Sequence, residues 1–221
     1  MDMFFHIMKV MKEKMPLDKI GIYVTDSNYY ASFKEKYPEI ESGEYYLLKE
    51  WEVVKESYNK EADIGLLQRY ENEIGDPFLW NAIFADRRIY LGRKYAYTND
   101  HVPRFAHTKM LSILQSSVIG MENLFDKVKP DFVISFQCVT IGHYVSYLFA
   151  KKREVPVLNL RPMRVENYFY AGESIFEPSL KLKQTYEKFR KNGFSSALEK
   201  KAKRFLNEVR ENHARYEGVI M

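Results

Sequence analysis

Three short segments concentrate the side chains able to do chemistry. Thr25-Asp26-Ser27-Asn28 sets a carboxylate and a carboxamide directly behind the apolar run Ile20-Gly-Ile-Tyr-Val24. Gln137-Cys-Val-Thr-Ile-Gly-His143 combines an amide, a thiol, a hydroxyl and an imidazole. Arg161-Pro-Met-Arg164 offers two guanidinium groups, whose planar forks suit phosphate or carboxylate. His143 or Asp26 is the candidate base for a step that takes a proton from an attacking hydroxyl. Asn28, Gln137, Thr140, Arg161 and Arg164 are the candidate substrate-binding groups, with Gly142 leaving room for a ligand at the first turn of a helix. Each has a structural alternative. Asp26 and Thr140 are helix-capping residue types, His143 can be a surface residue, and the arginines can form ion pairs or face solvent.

The remaining chemistry-bearing residues point less clearly to a reaction. The 137–143 loop lacks the glycines and lysine of a GxGxxG or Walker A motif. Cys138 has no evident base or orienting partner, so a small buried residue after a strand is its expected role. Asp86-Arg87-Arg88 sets an acid beside two bases, either as an internal salt-bridge network or at the border of a cleft. His6, His101, His107 and His213 show no HxxxH or HExxH spacing, and no metal site is expected.

The candidates can cooperate only if the intervening elements bring them together. Residues 2–15 place Phe4, Ile7, Met8, Met11 and Met15 at helical spacing. Strands are predicted at 20–24 and 45–48, with a helix between them closed by Tyr37-Pro38. From Trp51 to about Arg88 the pattern is helical, broken at Gly75-Asp-Pro77. Pro103–Val128 is the clearest helix, with Met110, Leu114, Val118, Met121, Phe125 and Val128 on one face and Lys129-Pro130 as its stop. Asp131–Phe136, Thr140–Lys152 and Val155–Leu160 then read as strand, helix and strand. Such a unit implies parallel strands and a right-handed crossover. Helices at about 179–191 and 195–216 finish the chain. The predicted fold is α/β, a Rossmann-like parallel sheet flanked by helices. It forms a single domain over 1–221, with a helical insertion at about 51–128 and C-terminal helices at 179–217. Ligands of open parallel sheets bind at the carboxyl ends of the strands, so 25–28, 137–143 and 161–167 are expected along one edge.

Composition narrows the setting. Hydrophobic residues make up 46% and charged residues 29%, an ordinary globular balance, and the 17 Tyr and 15 Phe lean towards a binding surface. One cysteine excludes an internal disulfide and any multi-cysteine metal site, and fits a reducing cytoplasm. No segment approaches the roughly 20 apolar residues of a membrane span, and Met1–Lys9 lacks the features of a signal peptide. The expected location is therefore cytoplasmic. The net charge of +4 is uneven, because Lys181–Glu217 carries eleven Lys/Arg against five Glu. That tail suits nucleic acid or an anionic membrane surface, or, given the interleaved Glu residues, a solvated helical face.

Three stretches carry a family resemblance: Trp80…Ala85-Asp-Arg-Arg88, Lys129-Pro-Asp-Phe-Val-Ile134, and Val155-Pro-Val-Leu-Asn-Leu-Arg161 with Arg164-Val-Glu-Asn167. Over about residues 75–180 the chain resembles the N-terminal half of GT-B-type glycosyltransferases and related proteins of capsular and surface polysaccharide biosynthesis. The resemblance implies a Rossmann-like domain that binds a glycan or sugar-phosphate acceptor at one wall of a cleft. The nucleotide-sugar donor would bind mostly to a second Rossmann-like domain, which residues 1–221 do not include, and no cofactor is expected within this chain. The expectation is thus an acceptor-side module that is one half of a split enzyme with its donor-binding domain on another chain, or a truncated product, or a binding module without catalysis.

Two rivals stand beside it. A non-enzymatic interaction protein would use Lys200, Lys201, Lys203 and Arg204 to engage a protein, a membrane surface or nucleic acid, with steep salt dependence. A small Rossmann-like nucleotide hydrolase lacks the expected glycine-rich or acidic metal-binding motif.

Overall fold

The computed structural model describes residues 2–90, 104–136, 138–163, 168–176 and 179–211. Two candidate site residues, Gln137 and Arg164, lie outside the described residues. The chain divides into two compact units, the first Met1–Val133 with Cys138–Pro156 and the second Ile134–Gln137 with Val157–Met221.

The first unit opens with α1 (Asp2–Lys12), β1 (Ile20–Val24), α2 (Ser27–Lys36), a 3-10 turn (Pro38–Glu41) and β2 (Tyr45–Lys49). Strands joined through a helix can lie parallel, and β1 and β2 pair in that sense, from Ile20 opposite Tyr45 to Val24 opposite Lys49. The register has a direct consequence: Thr25 and Glu50 leave the sheet at the same carboxyl edge. One face is covered by Phe5, Tyr30, Phe33, Tyr37 and Ile40, with Met8, Ile22, Leu47 and Trp51 packed against them. The residue that α1 buries is Phe5, not Phe4 of the expected stripe.

The segment predicted as mainly helical holds α3 (Glu50–Ser57), α4 (Ile64–Ile74), α5 (Asn81–Ala85) and α6 (Arg87–Tyr90). Gly75 ends α4 in the left-handed conformation at φ 75, which a residue without Cβ adopts at least cost. The long helix α7 (His107–Val128) buries Met110, Leu114, Val118, Met121 and Phe125, the face its periodicity predicts. It packs against both strands and against α3, α4, α5 and the later helix α8 (Ile141–Lys152). The approach to β2 is close at Gly120, where a Cβ would lie 3.0 Å from Leu48 Cδ1. Ile141, Val145, Leu148 and Phe149 of α8 are all buried.

The second unit holds β3 (Val133–Ser135), β4 (Val157–Pro162), β5 (Phe169–Gly172), α9 (Leu180–Asn192) and α10 (Ser196–Glu211), with Val133 itself assigned to the first unit. The strand–helix–strand order of the sequence is present, and β3 and β4 are neighbours. The fold is mixed α/β, as expected, but the described strands form a parallel pair and a three-stranded mixed sheet, not one parallel sheet. β5, unforeseen in the sequence, runs antiparallel to β4 with Asn159 opposite Gly172. Its aromatic Phe169-Tyr170 start has the strand propensity that supports this pairing. Among the described residues no helix is long and apolar enough to cross a membrane.

Candidate functional site

A charged network of two buried carboxylates and a half-exposed arginine occupies the carboxyl edge of β1 and β2. Its centre is Asp86, fully buried between α5 and α6. Arg88 donates to it three times, from its backbone N–H to Oδ1 at 3.1 Å, from Nε to Oδ1 at 3.0 Å and from Nη2 to Oδ2 at 2.7 Å. The N–H of Ile141, first residue of α8, adds a fourth bond to Oδ2 at 3.3 Å. A carboxylate with four donors at a helix N-terminus is a satisfied buried charge. Arg88 Nη2 also donates to Glu50 Oε1 at 2.6 Å, and Nη1 reaches the Thr25 carbonyl at 3.5 Å. The segments after β1, after β2 and at the head of α8 are therefore tied together by one arginine and its acid. The internal salt-bridge network that Asp86 and Arg88 suggested is formed, and it also borders two of the three candidate segments.

Glu50 is the residue that sequence reasoning missed. It is 8% exposed and follows β2 directly. Burial pushes its carboxyl up to about 7 against the pull of the Arg88 charge. Burial also works against the Arg88 charge, but the bonds to Asp86 and the charge of Glu50 outweigh it and the guanidinium pKa is raised. A reader of sequence sees only an acid in a helix's first turn, a common and favourable place for one. The available signal was its position two residues past the strand predicted at 45–48.

His143 stands beside this network. Thr140 caps α8 by accepting the His143 N–H at 3.3 Å, and the imidazole meets the Tyr23 ring edge-to-face at 5.6 Å between centroids. Burial, then the nearby Arg88 charge, hold the imidazole down at about 4, so it is neutral at physiological pH. Tyr23, on β1, has its hydroxyl pKa raised by burial and by the Glu50 charge. Glu50 Oε2 and His143 Nδ1 are both buried with no well-formed hydrogen bond among the described residues.

Gly142 does something other than admit a ligand. A Cβ there would lie 2.0 Å from Tyr23 Cζ, so the Tyr23 ring itself occupies the space. Asp26 is exposed and accepts the Tyr29 N–H at 2.8 Å as the cap of α2. Asn28 is exposed on that helix's first turn. Arg161 belongs to the second unit and lies within β4, not in a loop after it. Its Nε donates to Asn159 Oδ1 at 2.9 Å and its Nη2 to the carbonyls of Ser174 and Ile175. Asn159, 1% exposed, passes the connection on through Nδ2 to Ser135 Oγ at 2.9 Å and the Phe136 carbonyl at 2.6 Å. Arg161 thus ties the end of β4 to the segment after β5. Cys138 is half-buried.

A shallow concavity of about 170 Å³ lies elsewhere in the first unit, lined by Leu67, Glu71, Leu79, Trp80 and Leu114 among others, and includes no residue of the network. No group of three His, Cys, Asp or Glu among the described residues is placed to hold a metal ion. Searches of protein-family models, curated proteins and solved structures found no match to this chain.

Proposed function

We propose that this chain is the acceptor-side, GT-B-like part of a glycosyltransferase of surface or capsular polysaccharide biosynthesis, Rossmann-like in origin. In this reading it binds a glycan at the carboxyl edge of β1 and β2. The observation that carries the reading is the Glu50–Arg88–Asp86 network, which gathers at the edge where parallel α/β sheets bind their ligands. Asp86 and Arg88 also fall inside the stretch that resembles such enzymes.

The chemistry of the network selects among acceptors. The Arg88 charge is already matched by Asp86 and shared with Glu50, so little positive potential is left for a phosphate. Alternating carboxylate and guanidinium groups suit the paired donors and acceptors of sugar hydroxyls, and a neutral glycan is the better-matched ligand. Glycosyl transfer also needs the acceptor hydroxyl to lose its proton as it attacks. Glu50, held near neutrality, is better tuned for that than His143 or the helix-capping Asp26. A nucleotide sugar would come from a donor-binding domain beyond these residues.

Thermal unfolding of the full chain with neutral oligosaccharides, sugar phosphates and nucleotide sugars tests this. A ligand at a hundred times its dissociation constant adds about 2.7 kcal/mol of stability. Stabilisation by a neutral glycan that disappears in Arg88→Gln and Glu50→Gln supports the reading. No shift with any of the three classes removes it.

A further inference from the structure

The last two described helices of the second unit are unusual in character. Neither α9 nor α10 buries a single residue. From Lys181 to Glu211 they carry ten Lys/Arg against four Glu. On α10, Leu198, Ala202, Phe205, Leu206 and Val209 share a stripe roughly 100° wide at the helical repeat. Lys201 flanks it on one side, Arg210 and Lys203 on the other, and Lys200 and Arg204 lie opposite. On α9, Leu182, Tyr186 and Phe189 make a narrower stripe among Lys181, Lys183, Lys188 and Arg190. The stripes are only partly covered: Phe189, Phe205 and Val209 are half-buried, whereas Tyr186 is 58% exposed, Leu198 44% and Leu206 48%. Gly193, at φ 77, turns the chain between the helices, and Phe189 stacks on Phe194 across that corner at 5.5 Å.

We propose that α9 and α10 form an amphipathic, basic surface that lies on an anionic lipid bilayer. Two features select this occupant. Nucleic acid would use the positive charge but leave the Leu and Phe stripes in water. A groove on a protein would use the stripes but gain little from six surplus positive charges spread around them. An anionic bilayer uses both, burying the stripe at the headgroup boundary while the flanking lysines extend to lipid phosphates. Tyr186 supplies the kind of aromatic side chain that favours this depth, and Phe194 adds apolar surface. The inference is independent of the glycan-binding reading, since it concerns the other unit.

The test is co-sedimentation of the full chain with vesicles of phosphatidylcholine alone and of phosphatidylcholine with phosphatidylserine. Binding is expected only to the second kind and is expected to weaken as salt rises. At about five-fold per basic residue near the surface, Lys201→Gln/Lys203→Gln/Arg210→Gln, which removes the three residues flanking the stripe, lowers partitioning by about 100-fold. Leu206→Asn, at a half-exposed apolar position, lowers it by about five-fold. Circular dichroism melts of both variants should match the parent, because the altered side chains are exposed. Equal binding to both vesicles, no binding to either, or unchanged binding by both variants overturns the proposal. So does a salt-sensitive complex with single-stranded RNA in the absence of vesicle binding. A dimer abolished by Leu206→Asn would instead assign the face to a second copy of the chain.

Discussion

The two units place their charge in opposite ways. In the first, the buried carboxylates of Glu50 and Asp86 are gathered by a half-exposed Arg88 with His143 beside them, and their protonation is set by burial and by one another. In the second, the ten Lys/Arg of α9 and α10 lie on two helices with no buried residue. Buried charge is expensive to disturb and shifts its own titration. Exposed charge is cheap to change and acts mainly on partners. The first arrangement therefore bears on folding and on proton chemistry, and the second on association.

The sharpest way to break this comparison is Asp86→Ala. It strips Arg88 of its main partner and leaves the Ile141 N–H without its acceptor. Arg88 keeps Glu50 and reaches water, so the loss is that of a buried hydrogen-bonded carboxylate and an unpaired N–H, about 3 kcal/mol in a denaturant titration. A loss below about 1 kcal/mol, the range of surface pairs, would mean that these charges are effectively solvated.

The pH dependence of stability offers a second test. Glu50 has a folded pKa of about 7 against an ordinary 4.5, so the folded state keeps a proton that the unfolded state releases, and stability falls as pH rises through this window. His143 has a folded pKa of about 4 against 6.5, so the unfolded state binds the extra proton, and stability rises with pH through that window. The two effects oppose between 4.5 and 6.5, and the parent chain should show little slope from this pair. Glu50→Gln should reveal the rising limb and His143→Gln the falling one, each spanning up to about 3 kcal/mol. Parallel curves in the two variants would refute the assignment.

Gly142→Ala tests packing beside the network. The added methyl meets the Tyr23 ring, and overpacking of this kind costs about 1–3 kcal/mol or more. Most of that loss should vanish in a Tyr23→Ala background, a coupling that a double-mutant cycle measures directly. The smallest effect is expected on α10 of the second unit. Lys201→Gln/Lys203→Gln/Arg210→Gln should change folding stability by no more than about 0.5 kcal/mol, while altering association strongly.

Periodicity made the helices legible. The buried faces of α7 and α8 follow from apolar spacing alone, and the caps Asp26 and Thr140 from residue type. β1 and β2 could be read from short β-branched or aromatic runs between turn residues. The site was legible only in part. Thr140 and His143 sit beside the charged network, whereas Asp26 is an exposed cap and Arg161 a brace within its own unit. Glu50 was marked only by its place just past a predicted strand, and Tyr23 not at all, because an acid in a first turn and a tyrosine in a strand are ordinary.

What the sequence determined by itself is whatever depends on neighbours within a few positions: helical faces, capping, breaks, and the basic stripe of the C-terminal helices. What only the tertiary structure decided is which distant residues share one buried volume. Glu50, Asp86 and Ile141 meet because the parallel register of β1 and β2 and the packing of α8 bring their backbones together. The shifted protonation of Glu50 and His143 follows from that enclosure, since desolvation depends on what surrounds a group in space and not on what precedes it in the chain.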